Sequence, residues 1–443
     1  MRNKRFRFFV IFVILALAVE IPASAGNGAR ASVLDAYEQR LPAIRRQIPA
    51  VTAAAEAAAE LVLAEPRTSL VATTFPGAVE FANELLSRAG GLAKALSAFQ
   101  PRLTGVDKAV VLVSVRCWQQ DQAAVIPRLE EYRRRGYCAI VFGSRAGCPV
   151  EAVGDHLVDN GAPDAGADSG PVNIIANVTL GWMWCCEYAA ALSRKGKYPG
   201  ILKSIALQGA SENNARFQNA EGRVWLGDTD DAVPAGHLSD LYLQRLDRLV
   251  ADLRSPRIQG AVSNAADIVA ARLRDGRTVQ LSGMGHIVNY EMLRDDLKAA
   301  FKACRSEKLG DGLAEGDLAV WIGYMGNVGL IKTGGVDRLS LLMEAGVQMV
   351  LCEAPMPEAG NTDPGTLAEV LPDRLIPLPA RSSVIATVDQ CWSMPDAEVP
   401  IPWEPGRMAP VSGISALLLL RMLDEQVASR ISDADRNSEG SER

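Results

Sequence analysis

Apolar residues recur along this chain in two rhythms. Between 29 and 64, Leu34, Tyr37, Leu41, Ile44 and Ile48 fall three or four positions apart and alanine fills much of the remainder, which predicts helix with one buried face. Short continuous apolar runs then alternate with helical text. A strand is predicted over 69–72, a turn over 73–77, and a helix over 78–88 that Gly90-Gly91 ends. A strand over 109–115, a helix over 123–135 stopped by Gly136, and a strand over 138–142 follow. After a Gly/Pro-rich acidic loop over 155–170 a long apolar helix spans about 174–192, and 201–207 closes the unit. Apolar runs spaced by helices are the pattern of a parallel sheet covered on both faces, an α/β doubly wound, flavodoxin-like arrangement.

The order then repeats. Ala50-Val51, Ala54-Ala55-Glu56 and Arg67-Thr68 are echoed by Ala261-Val262, Ala265-Ala266-Asp267 and Arg277-Thr278. Ala109 and Gly136 correspond to Ala319 and Gly346, an offset of 210 both times (319 − 109 and 346 − 136). The second unit also has its late helix, over 414–427. A constant offset with a shared element order predicts a tandem duplication: one unit over 29–210, a polar connector lacking periodicity over 211–236, a second unit over 237–429, and a charged tail over 432–443 expected to be disordered.

Composition narrows the setting. With 443 residues and 48% hydrophobic content the chain has ample core for two domains, and a net charge of −6 argues against a nucleic-acid partner. Arg2, Lys4, Arg5 and Arg7 precede an apolar run over 8–19, and Ala23-x-Ala25 fits a signal-peptidase site. Cleavage after Ala25 and a periplasmic or secreted product without a stable membrane span are expected; an uncleaved N-terminal anchor is the alternative. The eight cysteines show no CxxC or Cys/His ligand spacing and read mostly as small apolar residues; export leaves disulfides open. His156 and His237 read as loop residues. No metal or cofactor is implied, and without Gly-x-Ser-x-Gly or a P-loop neither serine hydrolysis nor nucleotide hydrolysis is supported.

The stretch with most chemistry is 279–291, VQLSGMGHIVNYE. A buried strand over 279–281 breaks at Ser282-Gly283-Met284-Gly285, and helical text resumes over 287–304. The glycines allow close backbone approach, and the helix start offers free N–H groups to an anionic or hydroxyl-rich ligand, with His286 and Asn289 on the rim.

In the first half a glutamate, Glu84, stands before Arg88-Ala89-Gly90-Gly91, and Asp159-Asn160-Gly161-Ala162-Pro163 and Ala210-Ser211-Glu212-Asn213-Asn214 follow in order. This series, with the Gly-x-Gly-His turn, resembles the sugar isomerase (SIS) domain, most closely small bacterial SIS proteins with GSGHS, RAGG and D-N-x-x-P motifs. The resemblance implies a parallel α/β fold that binds a sugar derivative, with modules paired in a homodimer or internally through the tandem copy. Together with the turn chemistry read from the residues themselves, which contributes Arg116 and Asn289, it puts the expected ligand contacts at Thr73, Thr74, Ser114, Arg116, Ser282, Gly283, Gly285, Asn289, Gly326 and Asn327. The usual hydroxyl clusters are depleted: 74–78 replaces GSGHS, Ser114-Val115-Arg116-Cys117-Trp118 keeps one serine, and Ile287 stands where the second unit's serine would be. Aldose-ketose isomerisation needs a base and an acid near neutral pH, and His286, Glu291 and Glu84 are the candidates. Glu187, in an apolar helix, requires a partner to justify burial. The expected function is an exported carbohydrate-derivative binding protein, catalytically degenerate; an active sugar (phosphate) isomerase and a two-lobed extracytoplasmic receptor are the alternatives.

Overall fold

A computed structural model describes residues 32–441 apart from 66, 74–78, 86–87, 94, 99–107, 150–155, 163–169, 205–206, 219–223, 225, 284–300, 304–308, 324–337, 355–382, 394–395 and 404–405. The helical text at the start resolves into two helices, α1 (Val33–Arg45) and α2 (Ile48–Ala64), rather than one. Ser32 and Asp35 form a reciprocal capping box on α1, and Pro49 suits the first turn of α2. The first sheet comprises β1 (Ser69–Thr73), β2 (Ala95–Ala98), β3 (Ala109–Ser114), β4 (Cys138–Gly143) and β5 (His156–Asp159), with α3 (Val79–Leu85), α4 (Trp118–Arg134) and α5 (Gly170–Ser193) between or after them. A short antiparallel pair, β6 (Lys197–Pro199) and β7 (Leu226–Asp228), encloses α6 (Ala210–Gln218).

The second half runs α7 (His237–Leu253), α8 (Pro256–Arg274), β8 (Val279–Gly283), β9 (Phe301–Ala303), β10 (Leu318–Gly323), α9 (Arg338–Glu344), β11 (Gln348–Glu353), β12 (Val384–Asp389), a minimal hairpin of β13 (Val399–Pro400) and β14 (Arg407–Met408), and α10 (Ser412–Ser441). Both five-stranded sheets are parallel and share one order: β2-β1-β3-β4-β5 and β9-β8-β10-β11-β12. Each is a 2-1-3-4-5 sheet, the flavodoxin-like winding. No strand of one half joins the other half's sheet among the described residues.

Strand periodicity explains the layers. Val110, Leu112, Ile140 and Phe142 face the central core, while Ala109, Val111, Val113 and Val141 face α4 through Trp118, Val125 and Leu129. The second half does the same: Val320, Ile322, Val350 and Cys352 face the core, and Ala319, Trp321, Met349 and Leu351 meet Leu342 of α9. Strands buried on both faces must be apolar throughout, as these are. The echoed residues of α2 and α8 (Val51, Ala54 and Ala55; Val262, Ala265 and Ala266) are all buried in that central core, packed against α5 and α10 respectively.

Several expectations change. The helical text over 287–304 ends differently: Phe301–Ala303 is a strand beside β8, and 284–300 lie outside the described residues. The connector is not featureless, since it carries α6 and β7. The tail from Ser432 continues α10 as helix to Ser441, with Ile431 packed against the core and Arg430 bonded to Ser263 at 2.7 Å. Ile201 adds no sheet strand, only an antiparallel bridge to Leu92. His156 opens β5 and His237 opens α7. The seven described cysteines are free thiols, and Cys304 lies outside the described residues. Among the described residues no single helix is long and apolar enough to cross a membrane.

Candidate functional site at the strand tips

In a 2-1-3-4-5 sheet the connections leave in opposite directions from the first strand and the third, which opens a crevice at their carboxyl ends. By that rule the place to look is between Thr73 and Ser114 in the first half and between Gly283 and Gly323 in the second, where the turn after β3 is the one of the four that is described.

The turn after β3 is tight because Asp121, one turn into α4, accepts from the Arg116 and Cys117 amides at 3.1 and 3.2 Å. Arg116 is partly exposed in this turn, with a buried Nε that has no hydrogen-bond partner. Gly143 closes β4 where a Cβ would lie 3.1 Å from the Val115 carbonyl, and Trp118 locks the tips together by donating to the Ser144 carbonyl at 2.7 Å.

Behind the tips lies a buried amide network. Asn177 of α5 donates to Ser114 Oγ at 2.9 Å and to the Val115 carbonyl at 3.0 Å, and accepts from Asn160 at 2.9 Å. Asn173, one turn earlier, donates to the Arg116 carbonyl at 2.8 Å and accepts from Arg40 at 3.0 Å. Burial holds Arg40 below its usual range, with Asp159 opposing. The Ser114 hydroxyl is thus engaged from within, and the Thr73 hydroxyl donates to the Leu112 carbonyl at 3.3 Å. In the second half Ser282 is buried with no partner for its hydroxyl, and Gly283 is half-buried at the tip of β8.

The two halves repeat this detail. After β5, Asp159 accepts from the Gly161 amide at 3.0 Å, Asn160 donates its backbone N–H to Gly143, and Gly161 has φ +71°. After β12, Asp389 accepts from the Cys391 amide at 2.7 Å, Gln390 donates its backbone N–H to Glu353, and Cys391 has φ +60°. Gln390 plays the part of Asn160, its side-chain amide donating to the Gly323 and Cys352 carbonyls. A shallow groove of about 500 Å³ beside Cys391 is lined by Arg245, Asp252, Arg257 and Asp389. Burial pushes the Cys391 thiol up to about 12, which keeps it protonated.

Glu84 stands apart from the crevice. Its carboxylate is fully buried, pairs with Arg88 and takes the Trp182 indole N–H at 3.4 Å; burial raises it to about 7, against the pull of Arg88. The motif glycines after it make a turn that is also interface: Gly90 has φ +76°, its carbonyl accepts from Ala409 at 3.0 Å, and a Cβ there would lie 3.0 Å from Ala397. Glu187 caps α7, accepting from the Gly236 and Ser239 amides at 2.7 and 3.2 Å and from the Thr52 hydroxyl at 3.1 Å. Thr74, Gly285, His286, Asn289, Glu291, Gly326 and Asn327 lie outside the described residues. Among the described residues no three His, Cys, Asp or Glu side chains gather as a metal site.

Sequence reasoning missed Arg40, Asn173, Asn177 and Gln390. The signal for two of them was present: Asn173 and Asn177 are four apart, hence on one face, in an otherwise apolar helix.

No protein-family profile matches this chain, and no curated protein does. Among solved structures it is similar to the C-terminal domain of glucosamine-fructose-6-phosphate aminotransferase from Francisella tularensis, at 11% identity over 91% of this chain and 97% of that one, with a TM-score of 0.47. It is also similar to a Salmonella typhimurium LT2 protein designated sugar-binding, at 11% identity over 89% and 98% with a TM-score of 0.48. A Silicibacter pomeroyi DSS-3 protein designated a phosphosugar isomerase gives 14% identity over 90% and 98%, with a TM-score of 0.44. TM-scores below 0.5 at this identity carry neither family nor activity across.

Proposed function

We propose that the chain is an exported protein of two SIS-type repeats that binds a small carbohydrate derivative at its strand tips without turning it over. The observation that carries the reading is the repeated 2-1-3-4-5 sheet, which supports a ligand site at the same strand tips in each half, near Thr73, Ser114 and Arg116 in one and near Ser282, Gly283 and Gly323 in the other. Arg116, with a buried unpaired Nε, suits an anionic or hydroxyl-bearing group. Binding without turnover is supported at one of the three candidate acid/base groups: the Glu84 carboxylate is sealed from solvent, and a base must reach a substrate proton.

Thermal-shift screening of the chain beginning at Gly26 against neutral sugars, amino sugars and sugar phosphates tests the reading. A stabilising sugar derivative, lost in Arg116→Ala, with no solvent deuterium incorporated at any sugar carbon, is expected. Deuterium incorporation would establish the isomerase instead. Stabilisation unaffected by Arg116→Ala would move the site elsewhere. Cell fractionation tests export: the chain is expected outside the cytoplasm, shortened by its first 25 residues.

A further inference from the structure

The two halves touch through a charged contact closed to solvent. Glu84 of α3 and Arg88 just beyond it meet Asp396 and Ser412, which precede and open α10, and all four are buried. Arg88 donates to Glu84 Oε1, to Asp396 Oδ2 at 2.9 Å and to Ser412 Oγ at 2.6 Å. The Ser412 hydroxyl donates to Asp396 Oδ2 at 2.5 Å, and the Ser412 amide to Oδ1 at 3.1 Å. Glu84 Oε2 is buried without a hydrogen-bond partner. A Cβ on Gly413 would lie 2.5 Å from the Glu84 carboxylate, so the helix backbone packs directly on it and leaves no room for water.

Two carboxylates thus face one guanidinium. Fully ionised, the set carries a net charge of −1 where no solvent can screen it, a costly arrangement unless a proton is retained. Among the described residues the surrounding elements do not supply the missing positive charge. Trp182 of α5 gives one N–H; Tyr242 of α7 directs its hydroxyl to the Pro410 carbonyl at 3.1 Å. Glu398, near Asp396, is paired with Arg245 at 3.1 Å, and α3 carries a second buried carboxylate, Glu80, one turn before Glu84. The first turn of α10 contributes only the partial charge of its amides.

We propose that the Glu84–Arg88–Asp396 cluster holds one proton between its carboxylates and serves as a proton-linked latch, whose deprotonation loosens the contact between the two halves. Two close carboxylates titrate as a pair, with one proton retained far above the usual range. Burial is the main cause here, raising Glu84 to about 7 and Asp396 to about 6 against the opposing pull of Arg88, with Asp396 further raising Glu84 and Glu398 further raising Asp396. Unfolded carboxylates titrate near about 4, so the folded chain binds the proton more tightly. The latch's contribution to stability is therefore full at the acid end of that window and falls as pH rises from about 4 towards about 7, remaining low above it.

The test compares the chain with Glu84→Gln and Asp396→Asn. Glutamine retains an acceptor for Arg88 and cannot ionise. At pH 6 unfolding of the unaltered chain is expected to release roughly one proton more than unfolding of Glu84→Gln, and its melting temperature should fall more between pH 5 and 8. Infrared spectra of the folded chain should show the carbonyl band of a buried carboxylic acid at pH 5 that disappears by pH 9. Amide exchange in α3 and the first turns of α10 should quicken over the same range beyond its intrinsic rate. Should either variant fail to fold, the infrared titration of the unaltered chain decides alone. No protonated-acid band at any of these pH values, or equal proton release from the chain and Glu84→Gln, would overturn the latch.

Discussion

Asn177→Ala removes the centre of the amide network behind the strand tips. The side chain is fully buried and makes three hydrogen bonds, to Ser114, Val115 and Asn160. Deleting it leaves the Asn160 amide and the Val115 carbonyl facing each other's lost partner inside the protein. Each buried group so stranded costs about 1–3 kcal/mol, and groups sharing one cavity do not add fully, so the expected loss is about 3 kcal/mol. Ser114→Ala, which removes one acceptor and leaves Asn177 its other bonds, should cost about 1 kcal/mol. Equilibrium urea unfolding measures both, with an unchanged slope showing that the denatured state is not altered. The network would be refuted as the support of the tips if Asn177→Ala cost less than about 1 kcal/mol, or no more than Ser114→Ala.

Three further outcomes follow from the same coordinates. Gly161→Ala should destabilise markedly, because φ is +71° and the new Cβ would sit 2.7 Å from Ala43, whereas Gly147→Ala, also at φ +71° but with open space around it, should cost only about 1 kcal/mol; equal melting temperatures would contradict this. Glu187→Gln puts an N–H donor among the amides that cap α7 and should cost about 1–2 kcal/mol, read by thermal unfolding. Asp35 is held below its usual range chiefly by its bond to Arg254, then by Ser32, so its contribution is present above about pH 4 and lost as pH falls through its lowered value. The stability difference between the chain and Arg254→Gln should therefore vanish in strong acid and shrink with added salt, and a difference that persists there would count against the ion pair.

The duplication was legible because strands covered on both faces leave unbroken apolar runs, and because α2 and α8 both bury small residues at the same offset. The edge strands were not. Three of the four, Ala95–Ala98, His156–Asp159 and Phe301–Ala303, are three or four residues long, too short for any period to show, and the fourth, Val384–Asp389, buries only Ala386 and Val388 fully and so leaves no unbroken apolar run. At the site, the turn after β3 was recognisable, and it carries Arg116. What the sequence could not show is which hydroxyls are already engaged: Ser114 is held by a residue 63 positions later. Glu84 is the clearest case. Its spacing to Arg88 is visible as one helical turn, yet the second carboxylate of the cluster lies 308 residues beyond Arg88, so its burial follows from the pairing of halves rather than from its own helix. Glu187 did need a partner, as an apolar helix demands, and found it in the amides that begin the second half.

Hydrogen exchange of the folded chain with and without the stabilising sugar derivative tests the central claim most directly. The account predicts slowed exchange concentrated in the segments after β1, β3, β8 and β10, with the groove beside Cys391 and the contact of α1 with α7, where Arg45 bonds Asp240 at 2.7 Å and Asp247 at 2.6 Å, unchanged. Protection confined to that groove or that contact, with the four strand tips unaffected, would contradict it.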